Sequence, residues 1–203
     1  MNEKELYAYR MNDSELQKWN QFQDQILRDC QRVKVPSSFS EFMKTQTNPR
    51  GSYAHTAGYC NNAGYFYISE GDRGGIFLEC ISQNLEDIRW YIMELIVVHV
   101  GQELERKARE AEEKNWRYPQ IFKNGKLTFK ENKNWIYNAV HDSRKYWFEY
   151  AIAALAELFE ADRLHPYVAS RVDLMNRWFD APHWGFCWES MCFVEISDSK
   201  EHG

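Results

Sequence analysis

Between Ile88 and Val100 the sequence IRWYIMELIVVHV is mostly apolar on every side of a helical wheel. A helix that is hydrophobic all round has to be buried, so the rest of the chain must be built to cover it. Leu85, Ile88, Ile92, Leu95, Ile96 and His99 recur at helical spacing along one face. Asn84 can cap the start, and Glu86 and Asp87 stand in the first turn, where the helix dipole favours acids. After Gly101 the pattern changes to QELERKAREAEEK. The spacing therefore predicts one long helix over 84–113 that leaves the core past Gly101 and projects into solvent. The apolar run is too short to span a bilayer and carries Arg89, Glu94 and His99, so no membrane contact is expected.

The cover comes from three further helical patterns. Residues 134–163 read as one or two helices, with Trp147, Ala151, Ala154 and Leu158 on one face and Phe148, Ile152, Leu155 and Phe159 on another. Alanines allow close approach, so this segment is expected to be the second central helix, packed on the one from 84. His165-Pro166 should break it, with Pro166 in the first turn of a new helix over 166–179. Residues 13–33 read as an amphipathic helix with Leu16, Trp19, Gln23, Ile26 and Cys30 inward, capped by Asn12 or Ser14 and ended by Pro36 and the SSFS run.

Strand signals are fewer. In GYFYISEGDRGGIFLECIS, residues 64–82, two aromatic and β-branched runs flank a glycine-rich turn, the pattern of a β-hairpin. The glycines do not form a phosphate loop, because Gly74-Gly75 is followed by Ile76 and a strand-like run instead of Lys-Ser/Thr and a helix. QIFKNGKLTF within 119–130 suggests a second hairpin around Asn124-Gly125. Residues 44–63 are polar and turn-rich and read as a loop. The tail HWGFCWESMCFVEIS has strand-like composition, with its element type left open. The expected class is mainly α (α+β): a helical bundle around two central buried helices with one or two small β-hairpins, in a single domain over 1–203.

Candidate chemistry is thin. His99 and Glu103 share a helix face, but two ligands are too few for zinc, and the pair reads as a buried polar pair at the end of the core. His165, His183, Cys187 and Cys192 match no common zinc spacing. There is no G-x-S-x-G elbow, and no cysteine sits in a nucleophile motif. No metal, cofactor or catalytic residue is therefore assigned, and the chain is expected not to be an enzyme. The five cysteines are odd in number and irregularly spaced, and the N-terminus MNEKELYAYR lacks a secretory pattern, so reduced thiols in the cytoplasm are expected. A net charge of −5 argues against direct nucleic-acid binding. The one basic cluster, Lys123, Lys126, Lys130 and Lys133, is diluted by acids. The charge suits a basic protein partner. Eight Trp in a chain of 203 residues leave some for the surface, where they serve as anchors of protein interfaces.

The middle of the chain resembles bacterial immunity proteins of polymorphic-toxin and contact-dependent growth inhibition systems. The resemblance rests on the Tyr65-Phe-Tyr67 strand, the Arg73-Gly74 turn, SQNLEDIRWYI at 82–92 running into a long helix, and EYAIAALAELF at 149–159. It covers residues 60–165. It implies a cytoplasmic binding protein, monomer or weak dimer, that neutralises a cognate toxin, often a nuclease, by covering its active or substrate-binding surface. The interface candidates are Asp72 and Arg73 at the hairpin tip, the acids Glu103, Glu105 and Glu110, and Trp184, Trp188 and Glu189 near the C-terminus. The alternatives are a small metal-dependent hydrolase using His99, Glu103 and a histidine from elsewhere in the chain, and a generic protein-binding adaptor.

Overall fold

The computed structural model describes residues 10–36, 56–61, 64–70, 76–111, 117–123, 126–131, 135–178 and 183–196. Its elements are α1 (Asp13–Arg32), β1 (Thr56–Asn61), β2 (Gly64–Glu70), β3 (Ile76–Ser82), α2 (Leu85–Ala111), β4 (Arg117–Lys123), β5 (Lys126–Glu131), α3 (Trp135–Ala156), α4 (Ala161–Trp178), β6 (His183–Cys187) and β7 (Cys192–Ile196). The chain is mainly helical with small antiparallel sheets, the class expected from the sequence. It divides into two compact units, residues 1–95 and 96–203, with the boundary inside α2.

In the first unit, α1 starts on a reciprocal cap. Asn12 Oδ1 accepts from the Glu15 N–H at 3.0 Å, and Glu15 Oε2 accepts from the Asn12 N–H at 2.9 Å. This draws Glu15 inward, and the buried stripe becomes Glu15, Trp19, Phe22, Ile26, Asp29 and Cys30. The expected stripe was rotated from this one: Leu16 is 43% exposed. The helix ends before Pro36, through N–H donation from Val35 to the Cys30 carbonyl at 2.8 Å and from Lys34 to the Gln31 carbonyl at 3.2 Å. That paired closure requires a left-handed residue, and here it is Lys34, at φ 57°.

The hairpin expected over 64–82 is present as β2 and β3, with a bulge between Tyr67 and Ile68. It gains a strand from the stretch read as a loop: β1 pairs with β2 from Thr56↔Ser69 to Asn61↔Gly64. The register shows why Gly64 is glycine. Its φ is 142°, and a Cβ there would stand 2.7 Å from the Ser82 carbonyl oxygen. The rest of the expected loop, 44–55 with 62 and 63, and the turn residues 71–75 lie outside the described residues. Asn84 caps α2 as expected, its Oδ1 accepting from the Glu86 N–H at 3.0 Å.

Burial along α2 is one-sided. Ile88, Ile92, Met93, Ile96, Val97 and Val100 are inside, whereas Leu95 is 43% exposed and His99 is exposed. The all-round burial expected of 88–100 is thus corrected, as is the core pairing of His99 with Glu103. Nor does the helix leave the core at Gly101, since Glu105 is 1% exposed.

In the second unit, α3 is buried on every side from Phe148 to Leu155, so both expected faces are in use. The close approach between helices falls on Gly101: a Cβ at that position would stand 3.1 Å from both the Cα and the carbonyl oxygen of Trp147. Backbone atoms of a buried helix cannot yield as a flexible side chain can. Gly101→Val is expected to cost about 1–3 kcal/mol by overpacking. Gly101→Ala should cost less, because better helix propensity, about 1 kcal/mol, offsets part of the clash. Urea unfolding of the two variants checks the order. Equal stability for Val and Gly would remove the close-packing role.

The break after α3 comes earlier than Pro166. The chain turns at 157–160, Glu160 O accepts from Arg163 and Leu164, and α4 begins at Ala161. Pro166 lies inside α4, near enough its start that the missing N–H costs only the bond to the Asp162 carbonyl. The second expected hairpin is β4–β5, with Pro119 beside its bulge. The turn residues Asn124 and Gly125 lie outside the described residues. The C-terminal stretch is a third hairpin, β6–β7, in register from His183↔Ile196 to Cys187↔Cys192.

Candidate functional site

The C-terminal hairpin is where polar anchoring, exposed aromatics and cysteines converge. It is too short to be stable by itself, and α3 and α4 hold it. Asn176 of α4 uses both ends of its amide on one residue: the Trp184 N–H donates to Oδ1 at 2.6 Å, and Nδ2 donates to the Trp184 carbonyl at 3.0 Å. The side chain thereby acts as a short third strand on β6. On the other strand, the Phe193 N–H donates to Oε1 of Glu149, a buried acid of α3, at 2.8 Å.

Alternation along the strands then sorts the side chains. Trp184 and Phe193 face inward and are buried. The Lys145 ammonium lies 4.7 Å from the Trp184 ring centre, a cation–π contact. His183, Cys187, Cys192, Val194 and Ile196 share the outward face by register, and Val194 and Ile196 are 40% and 54% exposed. At the turn, Trp188 is 41% exposed, yet its ring is held edge-on by His165 at 4.7 Å and Phe186 at 5.1 Å between centroids. An exposed indole fixed in this way loses little side-chain entropy when it binds, which suits an interface anchor.

The sequence-derived candidates fare unevenly against this geometry. Trp188 and Glu189 are exposed and adjacent. Trp184 is 3% exposed and Glu105 is 1% exposed, so neither presents a surface to a partner. Glu103 is half-buried and bound to Arg106 at 2.8 Å; hydrogen bonding from that guanidinium holds its carboxyl below the usual range. Glu110 lies near the end of α2. Asp72 and Arg73 lie outside the described residues. Among the described residues, the members of the set that lie together are the C-terminal ones. Among the described residues no group of three or more His, Cys, Asp or Glu is placed to hold a metal ion. No helix among them is long and apolar enough to cross a membrane.

A second feature lies in the first unit. A cleft of about 450 Å³ between α1 and the start of α2 is lined by Lys18, Phe22, Gln25, Arg28, Glu86 and Arg89 among others. Arg89 is engaged there by Asp29 and Glu86 at 2.6 and 2.8 Å. Sequence reasoning placed none of these residues in a site; the signal was Asp29, an acid on the apolar stripe of α1. Comparison with protein-family models, curated proteins and solved structures finds no match to this chain.

Proposed function

We propose that this chain is a cytoplasmic binding protein of the immunity type, which neutralises a cognate toxin by covering its active or substrate-binding surface and performs no chemistry itself. The observation that carries the reading is Trp188, exposed yet fixed between His165 and Phe186 on a hairpin anchored by Asn176 and Glu149. A clamped aromatic of this kind is what binding hot spots use. The net charge of −5 supports a basic partner, and a nuclease, basic around its substrate cleft, is the class of toxin that fits.

The test is association of the full chain with a basic nuclease toxin domain, followed kinetically. The association rate should fall steeply as salt rises, because electrostatic steering is screened. Trp188→Ala should weaken affinity by about 2 kcal/mol or more, roughly thirtyfold in Kd, with the unfolding midpoint unchanged. Association indifferent to salt would remove the electrostatic part. A neutral Trp188→Ala would move the interface elsewhere. Turnover of a substrate, abolished by replacing His99 or Glu103, would favour the hydrolase reading instead.

A further inference from the structure

Cys187 and Cys192 are directly opposed in the last pair of the β6–β7 ladder, on either side of the turn Trp188–Met191. Directly opposed residues project from the same face of a sheet. Here it is the outward face, and both thiols are free and partly exposed. Ser190, in the turn, lies against the second of the two cysteines: its Oγ and the Cys192 Sγ are hydrogen bonded at 2.9 Å.

The ladder fixes the spacing. Trp184 directs its N–H and C=O to Asn176, and Phe193 directs its N–H to Glu149, so both turn away from the opposite strand. By alternation 187↔192 is a hydrogen-bonded pair, with Cα atoms about 5.5 Å apart. That falls inside the span of about 4.4–6.8 Å that a disulfide bridges. The Cβ atoms of such a pair stand slightly wider than a relaxed disulfide prefers, and the turn must give to close it. Bridges of that kind are the readily reduced ones.

We propose that Cys187 and Cys192 are a reversible dithiol site that closes to a cross-strand disulfide by exchange with a small-molecule disulfide of the glutathione class. Cys187 is the attacking thiol. The Ser190 hydroxyl, with backbone N–H groups of Ser190 and Glu189, holds it below the ordinary thiol range. Its thiolate attacks one sulfur of the small disulfide, which forms a mixed disulfide and releases one small thiolate. The Cys192 sulfur, giving up its proton, then attacks Cys187 Sγ, forming the internal bond and releasing the second small thiolate. The two protons of the protein thiols end on the two small thiols; the dithiol is oxidised by two electrons and the small disulfide is reduced. Cys30 is the contrast: burial first, then Asp29, pushes its thiol up to about 12, which leaves it inert. The closed bridge fixes both ends of the turn that carries Trp188.

The experiment uses the reduced full chain, exposed under native conditions to oxidised glutathione, quenched in acid, alkylated and digested with trypsin. No Lys or Arg lies between Arg177 and Lys200, so both cysteines fall in one tryptic peptide, 178–200. The expected product is that peptide unalkylated, lighter by two hydrogens than its reduced form, and restored by dithiothreitol. Cys192→Ser should trap glutathione on Cys187. Cys187→Ser should form its adduct on Cys192 more slowly. Stable glutathione adducts on the native chain with no internal bridge would overturn the pairing. Equal rates for the two Ser variants would overturn the assignment of Cys187 as the attacking thiol.

Discussion

Replacing Arg89 with Ala is expected to lower the unfolding free energy by about 3–5 kcal/mol. Arg89 Nε donates to Asp29 Oδ2 at 2.6 Å, and a second guanidinium nitrogen donates to Asp29 Oδ1 at 2.9 Å. That two-pronged geometry is the strong form of an ion pair. Donating to Asp29 raises the Arg89 pKa further although burial opposes it, so the guanidinium stays charged. Asp29 is 3% exposed, and its remaining side-chain contact in the helix is Gln25 Nε2 at 3.0 Å. Truncating Arg89 therefore strands a buried carboxylate, which costs far more than the net worth of the pair. Arg89→Lys should lose less, since it keeps the charge and gives up the fork. Asp29→Leu combined with Arg89→Met should recover most of the loss, because a packed apolar pair of similar size can match a buried ion pair. Urea unfolding of the single and paired variants decides the matter. If the paired variant is as unstable as Arg89→Ala, the loss comes from Arg89 packing or its bond to Glu86, not from a stranded charge.

The same contrast between apolar pattern and polar exception governs what the sequence makes legible. Helices announce themselves through spacing and caps: Asn84 before α2 could be read directly, and for α1 the choice lay between Asn12 and Ser14, which the structure settles as Asn12. The hairpin β2–β3 was legible because aromatic and β-branched runs flank glycines. Strand β1 was not, since TAGYCN sits among polar residues and is made a strand by its pairing to β2. The end of α1 was legible from Pro36 to within a residue, but its closure was not, because the left-handed residue is Lys34, where a glycine would have marked the position. In the C-terminal site, the exposed Trp188 could be guessed from composition, but the facing of Cys187 and Cys192 could not. A spacing of five residues means nothing until the strand register is known. What could have been noticed are acids within apolar stripes: Asp29 in α1, Glu105 in α2 and Glu149 in α3 are all buried. An acid at such a position must meet a donor in the folded chain. Asp29 meets a guanidinium and Glu149 a strand N–H from a distant part of the sequence.

Glu149 gives the second large effect. Glu149→Ala should cost about 3 kcal/mol, from a lost hydrogen bond to a carboxylate acceptor, about 1.5–3 kcal/mol, and one buried methylene worth about 0.8 kcal/mol. The loss has a specific location. The Phe193 N–H loses its acceptor on β7, while Asn176 still grips β6 through Trp184. The Phe193 amide should therefore exchange with solvent much faster in Glu149→Ala, with the amide of Trp184 less affected. Glu149→Gln keeps an oxygen at the same reach and should retain most of the protection, losing only the advantage of charge. Asn176→Ala acts on the same hairpin from the other side. The two latches secure one small element, so their combined effect should depart from additivity. Once either latch lets the hairpin open, the second has less left to hold. Additive losses, or a destabilised Glu149→Ala in which Phe193 exchanges no faster than before, would mean that Glu149 serves the interior of α3 and that something else fastens the hairpin.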